Sequence, residues 1–230
     1  MPVMRRILAV MAKAPIPGGV KTRLCPLLGS EGAARLHECF VLDAVEKASS
    51  VPNAEVVVAY TPRGTLPLFR GAAPDLGRYF LQRGRNLGER MSYCFERLCG
   101  PGRAVVVMGA DSPTLPARCL ELAFDVLATG SADAVFGPAS DGGYYLIGLL
   151  SAQPELFQGI AWGTSSVLDA SLSRAKELGL RSRLLPEWYD VDRPADLACL
   201  KTELLDRSVP NRSARHTREF LRTLADSGVI

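Results

Sequence analysis

The chain is poor in the residues that build many kinds of site. It has two histidines, His37 and His216, and none of its six cysteines stands in a C-x-x-C pair. The usual zinc spacings are therefore excluded. No G-x-x-x-x-G-K-[ST] and no G-x-G-x-x-G string occurs, so neither a P-loop nor a dinucleotide fingerprint is present. No apolar run approaches the ~20 residues needed to cross a bilayer. Charge is nearly balanced, 27 basic against 24 acidic residues for a net +3, which gives no broad basic field for nucleic acid. No internal repeat or low-complexity tract breaks the pattern. Nothing suggests a disulfide framework. Cys39, Cys94, Cys119 and Cys199 fall on apolar faces of expected helices, as free buried thiols do, and a reducing cytoplasm is the expected compartment.

What is present is an ordinary globular composition. The 230 residues, 47% hydrophobic and 22% charged, match one α/β domain. The first fifteen residues carry two arginines and a short apolar run, yet that run leads into Lys13 and a Pro-Gly loop rather than a cleavage site. A first strand is expected there, over Ile7 to Ala12.

Strand-like and helix-like segments then alternate. Helical spacing covers Ser30 to Ala48, with Ser30 as N-cap and Leu36, Phe40, Val41, Ala44 and Val45 on one side. Strands are expected at 55–60, 78–82, 103–108, 134–137, 144–149 and 181–185. Further helices are expected at 86–98 (Leu87, Met91, Cys94 and Phe95 inward), 116–128, 164–178, 194–205 and 213–225. This alternation predicts a three-layer α/β/α fold around a mostly parallel sheet. The Asp141-Gly142-Gly143 turn predicts one antiparallel strand, hence a mixed sheet. Residues 1–205 are expected to form the domain, and 206–230 a helical tail packed on it.

Five constellations carry chemistry. In VVVMGADSPTLP, 105–116, a buried strand ends in Asp111, at the sheet edge where ligands of open α/β sheets bind. A carboxylate there can hold Mg²⁺ or Mn²⁺ against phosphates; it can equally cap a helix ahead of Pro113 and Pro116. The loop AKAPIPGGVKTRLCPLLG, 12–29, sets Lys13, Lys21 and Arg23 among Pro15 and Gly18, a composition suited to phosphate oxygens. In WYDVDRPADL, 188–197, Asp192 is either an N-cap or a second metal carboxylate, with Asp190 as the fallback ligand. In GPASDGGYYLIGL, 137–149, Asp141, Gly142 and Gly143 form a plain hairpin turn or meet an acceptor. In QRGRNLGERM, 82–91, Asn86 and Gly88 open a helix whose first turn can face a nucleotide. Trp162 flanks the pocket or plugs the core. Neither histidine is given a role.

Taken together, KAPIPGGVKTRL, NLGERM, GADSPTLP, DGGYYLIGL, WGTSSVL and DVDRPADL resemble a bacterial family of type A glycosyltransferase-like proteins. These are also called selenodomain-associated or arsenosugar-biosynthesis transferases and belong to the nucleotide-diphospho-sugar transferase superfamily. The six pieces run in order over residues 7 to about 200. The resemblance implies a Rossmann-like mixed sheet with the nucleotide over its N-terminal half. It implies metal carboxylates at Asp111 and Asp192, and a phosphate loop containing Lys21 and Arg23, with Ala110 beside the nucleotide. KTRLCPL is similar to the GTRL-x-P-L of sugar nucleotidyltransferases, with Lys21 in the glycine's place, and to the KxRL of phospholactate guanylyltransferases. Gly109 stands where a D-x-D motif has its first acid, which keeps nucleotidyl transfer open beside glycosyl transfer. The implied partners are a nucleotide sugar or nucleoside triphosphate and a small-molecule acceptor, with no nucleic acid and no membrane span. A nucleotide-binding module without catalysis is the alternative outside enzymes.

Overall fold

The computed structural model describes residues 4–72, 78–206 and 214–228. Strand β1 is Arg5–Lys13, β2 Ala54–Thr61, β3 Tyr79–Leu81, β4 Arg103–Met108, β5 Ala134–Pro138, β6 Tyr144–Leu149 and β7 Ser182–Leu184. Helices are α1 Cys25–Ser49, α2 Leu66–Ala72, α3 Leu87–Leu98, α4 Ala117–Ala128, α5 Val167–Glu177, α6 Pro194–Leu205 and α7 Arg215–Asp226. One seven-stranded sheet runs β3-β2-β1-β4-β6-β5-β7. β6 is antiparallel to both β4 and β5, and every other pairing is parallel. The fold is thus the mixed α/β sheet expected.

Side chains alternate across the pleat. Leu8 and Val10 of β1, with Val106 and Met108 of β4, join Val41, Ala44, Leu120 and Phe124 of α1 and α4 on one face. Ile7 and Ala9, with Val105 and Val107, join Met91, Cys94, Phe95 and Ala175 of α3 and α5 on the other. That double burial is why β4 reads as an unbroken apolar run. A third cluster lies outside the sheet, where Leu36 and Phe40 of α1 meet Leu197 and Leu200 of α6 and Leu221 of α7.

Several expectations shift. Gly29 leaves the helical region at φ +70°, ψ 168°, so regular helix runs on from Ser30. Leu87, expected inward, is exposed, because the first turn of α3 opens on the cleft described below. Cys199 is exposed while Cys39, Cys94 and Cys119 are buried. The helix expected from Thr164 begins at Val167, after a turn in which Thr164 Oγ1 donates to Ala161 O (2.8 Å). Helix α2 was not expected; with Phe69 as its one buried residue, it shows too little periodicity to be read. Ser213, the expected start of the last helix, and most of the linker before it lie outside the described residues. No helix among the described residues is long and apolar enough to cross a membrane.

Candidate active site

Strand β1 connects outward to β2 and β3, and β4 outward to β6, so the strand order turns back between β1 and β4. In open α/β sheets the crevice beyond the carboxyl ends at such a point is where ligands bind. A cleft of about 1020 Å³ opens there, lined from both halves of the sheet. Lys21, Arg23, Asp111, Asp190, Asp192 and Arg193 give it a charged lining, and Leu87, Met91, Tyr144, Trp162 and Val167 an apolar one.

Lys21 is the junction of the charged lining. Its side chain is 4% exposed, and its ammonium pairs with Asp111 Oδ1 and, at 2.7 Å, with Asp192 Oδ1. It also donates to Val191 O at 2.8 Å. Burial works against the charge on Lys21, but the two carboxylates more than offset it, and its pKa stands above the ordinary lysine value. Desolvation likewise opposes the charge on Asp111; Lys21 and His37 outweigh it and hold the carboxyl below its usual value. Asp111 Oδ1 is buried against the Lys21 ammonium, whereas the side chain as a whole is 42% exposed and opens on the cleft. The cap alternative for Asp111 is not realised: Pro116 holds the N-cap position of α4.

The two aspartates meet because the segment 186–192 is strapped back along the sheet. Tyr145 Oη donates to Pro186 O (2.9 Å), Trp188 N to Pro138 O (3.0 Å) and Val191 N to Asp111 O (2.9 Å). The cap role weighed for Asp192 falls instead to Asp196, whose carboxylate accepts from Asp192 N (3.0 Å) and Arg193 N (2.8 Å) at the start of α6. Asp192 is thereby left for Lys21. Asp190 accepts a bond from Ser112 Oγ. Burial, with Asp111 and Asp141 nearby, pushes its carboxyl up to about 6 against the effect of that bond.

Helix α1 supports this lining from behind. His37, which the sequence reading left without a role, is buried. Its Nε2 lies 2.9 Å from Lys13 O, so Nε2 carries the proton. Nδ1 then faces Asp111 Oδ1 at 3.8 Å. Burial lowers the pKa of the imidazole, against the pull of Asp111. Three residues on, the Phe40 ring centroid lies 5.3 Å from Lys21 Nζ. Lys47, also buried, donates to Pro113 O (2.8 Å) and Ser112 O (3.4 Å), and burial pushes its amine down to about 8. Positions 37, 40 and 47 share one helical face, but only the folded chain shows what that face meets.

Asp141 and Gly143 also line the cleft, with Asp141 near Asp190, and Asp141 Oδ1 accepts from Gly143 N at 2.8 Å. The hairpin-turn reading is realised, and the turn borders the cleft. Gly142 has φ +88°, and a Cβ there would lie 2.0 Å from Ser165 O, so the hairpin is pressed onto the 162–166 loop. Trp162 stands edge-on to Tyr144, with ring centroids 6.4 Å apart. A Cβ on Gly88 would lie 2.4 Å from Trp162 Nε1, so Gly88 makes room for the indole. Asn86 is the N-cap of α3, accepting from Glu89 N at 2.9 Å. The remaining loop residues stand back from the cleft: Lys13 donates to Gly19 O (2.6 Å) and braces the turn around Gly18, Pro15 is half-buried, and Ala110 is in the core. Arg193, which sequence reasoning missed, lines the cleft with Arg23, and both side chains are exposed.

Among the described residues one three-ligand cluster has the spacing of a metal site, Asp43, Glu46 and His216. Asp43, however, accepts from His216 N (2.9 Å), Thr217 N (2.9 Å) and Thr217 Oγ1 (2.5 Å). It caps α7, whose own N-cap residue, Ala214, cannot.

Residues 44–164 match the model of a family described as uncharacterized proteins conserved in bacteria, DUF2064. A "putative nucleotide-diphospho-sugar transferase" from Desulfovibrio desulfuricans G20 is 34% identical, with 98% of this chain and 96% of that one covered and a TM-score of 0.85. A cytidylyltransferase from Leptospira borgpetersenii shares the fold at 13% identity and TM-score 0.60, covering 99% of this chain and 97% of that one. Rv0371c from Mycobacterium tuberculosis H37Rv, in a manganese complex, shares it at 17% identity and TM-score 0.50, covering 85% and 97%. No curated protein matches the chain.

Proposed function

The chain belongs to the DUF2064 family of bacterial proteins, and from that premise we propose that it is a metal-assisted transferase using a nucleotide-activated donor, transferring a glycosyl group from a nucleotide sugar to a small-molecule acceptor. The observation that carries this reading is the meeting of Asp111 and Asp192 on one cation at the carboxyl edge of β1 and β4. The description of the Desulfovibrio relative supports the same reading. A second reading is favoured by Gly109. With no acid there, β4 offers one carboxylate, as suits nucleotidyl transfer, and cytidylyltransferases share the fold.

The donor set fits a hard divalent cation. Asp111 and Asp192 direct carboxylate oxygens at one point, where the Lys21 ammonium meets them. Oxygen ligands of this kind suit Mg²⁺ or Mn²⁺. Asp111 and Asp192 would hold the ion, with Asp190 beside them. Once bound, it would neutralise donor phosphates and the charge growing on the leaving group. Arg23 and Arg193 supply further positive charge to phosphate oxygens. Tyr144 and Trp162 exclude water on the apolar side, and Asp141 and Gly143, beside Asp190, meet the acceptor.

The test is a thermal-shift panel of nucleoside triphosphates and nucleotide sugars with and without Mn²⁺, followed by product analysis. Nucleoside diphosphate release establishes glycosyl transfer, and pyrophosphate release establishes the second reading. A thermal shift without turnover leaves a binding module, and no shift with any nucleotide overturns the proposal.

A further inference from the structure

Lys21 was expected to be a phosphate ligand, yet its ammonium is committed elsewhere. It contacts Asp111, Asp192 and Val191 O, and its side chain is all but inaccessible. It lies against the Phe40 ring. The backbone at Lys21 takes the left-handed conformation, φ 45°, ψ 39°, which disfavours any residue with a Cβ. A lysine is thus held in a strained position so that its charge lies between two carboxylates that sequence distance would otherwise keep apart.

A divalent cation bound by both carboxylates would sit about 2.0–2.2 Å from their oxygens, in the space this ammonium fills, and two cations repel at that range. We propose that Lys21 is the resident counter-ion of the Asp111–Asp192 pair and competes with the divalent metal for it. The free protein then holds metal weakly. Metal entry releases the ammonium toward the cleft, where donor phosphates take it up, so metal and phosphate promote each other's binding. This inference rests on the metal-carboxylate reading of Asp111 and Asp192 given above.

The test uses Mn²⁺ alone, with no nucleotide, titrated by electron paramagnetic resonance into the full chain. Lys21→Met is expected to bind one Mn²⁺ at least about tenfold more tightly than wild type, because the paired carboxylates lose their competitor. Lys21→Gly, whose left-handed backbone suits glycine, should show the same gain and serves if the methionine variant does not fold. Adding Asp192→Asn should abolish the gain. An affinity unchanged or weakened in both single variants overturns the proposal. So does a gain that survives Asp192→Asn, which places the ion elsewhere, as at Asp43, Glu46 and His216. In wild type, acetylation of Lys21 read by mass spectrometry should rise as Mn²⁺ is added; unchanged protection at bound Mn²⁺ overturns it equally. A tenfold gain without any nucleotide effect would remove the transferase reading alone. Turnover without the gain would remove this inference alone.

Discussion

Asp111 and Asp190 lie beside each other in the cleft, yet their surroundings push their carboxyls in opposite directions. Asp111 faces Lys21 and stays ionised; replacing it by Asn keeps the backbone bond from Val191 N to Asp111 O. The Asp111→Asn protein is therefore expected to fold and to lose roughly 10²–10³-fold in metal-dependent turnover, measured by product release at saturating Mn²⁺. Asp190 is raised to about 6 from 3.8. Between those values the folded state binds more protons than the unfolded one, so this residue makes the protein less stable as pH rises from 3.8 through 6. Asp190→Asn should accordingly raise stability by about 1 kcal/mol at pH 7, after discounting for its partial exposure, and leave it unchanged near pH 3.5. Urea denaturation at the two pH values checks this; an equal effect at both would remove the argument.

At the scale of elements, helix α7 starts on a left-handed alanine and takes its cap from Asp43 on α1. Asp43→Ala should cost about 1–3 kcal/mol in chemical denaturation. Gly88 at the start of α3 leaves space for Trp162. Gly88→Ala should displace the indole, cost about 1–3 kcal/mol, and alter tryptophan fluorescence. The two cases divide what could be read from the chain. Strands β4 and β6 and helix α6 are legible to their ends, because local patterns of burial and proline decide them. Asn86 is legible as a cap because its partner lies three residues on. Asp192 is only half legible: its neighbourhood holds two candidate caps, and the choice of Asp196 follows from geometry. His37, Lys47 and Asp43 are not legible as supports of anything, since their partners at Lys13, Pro113 and Thr217 are far along the chain and chosen by the fold. Leu87 misleads by the same logic, since an apolar position on a helix can face a cleft as well as a core.

For the whole molecule, the charged and apolar linings of the cleft come from different parts of the fold, Lys21, Asp111 and Asp192 from the segments after β1, β4 and β7, and Leu87, Met91, Tyr144 and Trp162 from α3, β6 and the 162–166 loop. A ligand spanning both should stabilise the entire fold through linkage. At one hundred times its dissociation constant the gain is about 2.7 kcal/mol, or roughly 5–11 °C in melting temperature. Calorimetry with the nucleotide identified in the screen, at fixed Mn²⁺, should show a single transition moving upward. Two transitions, only one of them moving, would refute a spanning ligand.

Helix α1 has one further consequence, for the order in which the molecule is made. Its Asp43 awaits residues 216 and 217, and the carboxylate its His37 faces awaits the strap ending at Val191 and Asp192. A nascent chain halted on the ribosome before these segments emerge already has most of its sheet but an open, electrostatically unbalanced cavity. Competence to bind would be gained only once these segments have emerged, long after the architecture is recognisable.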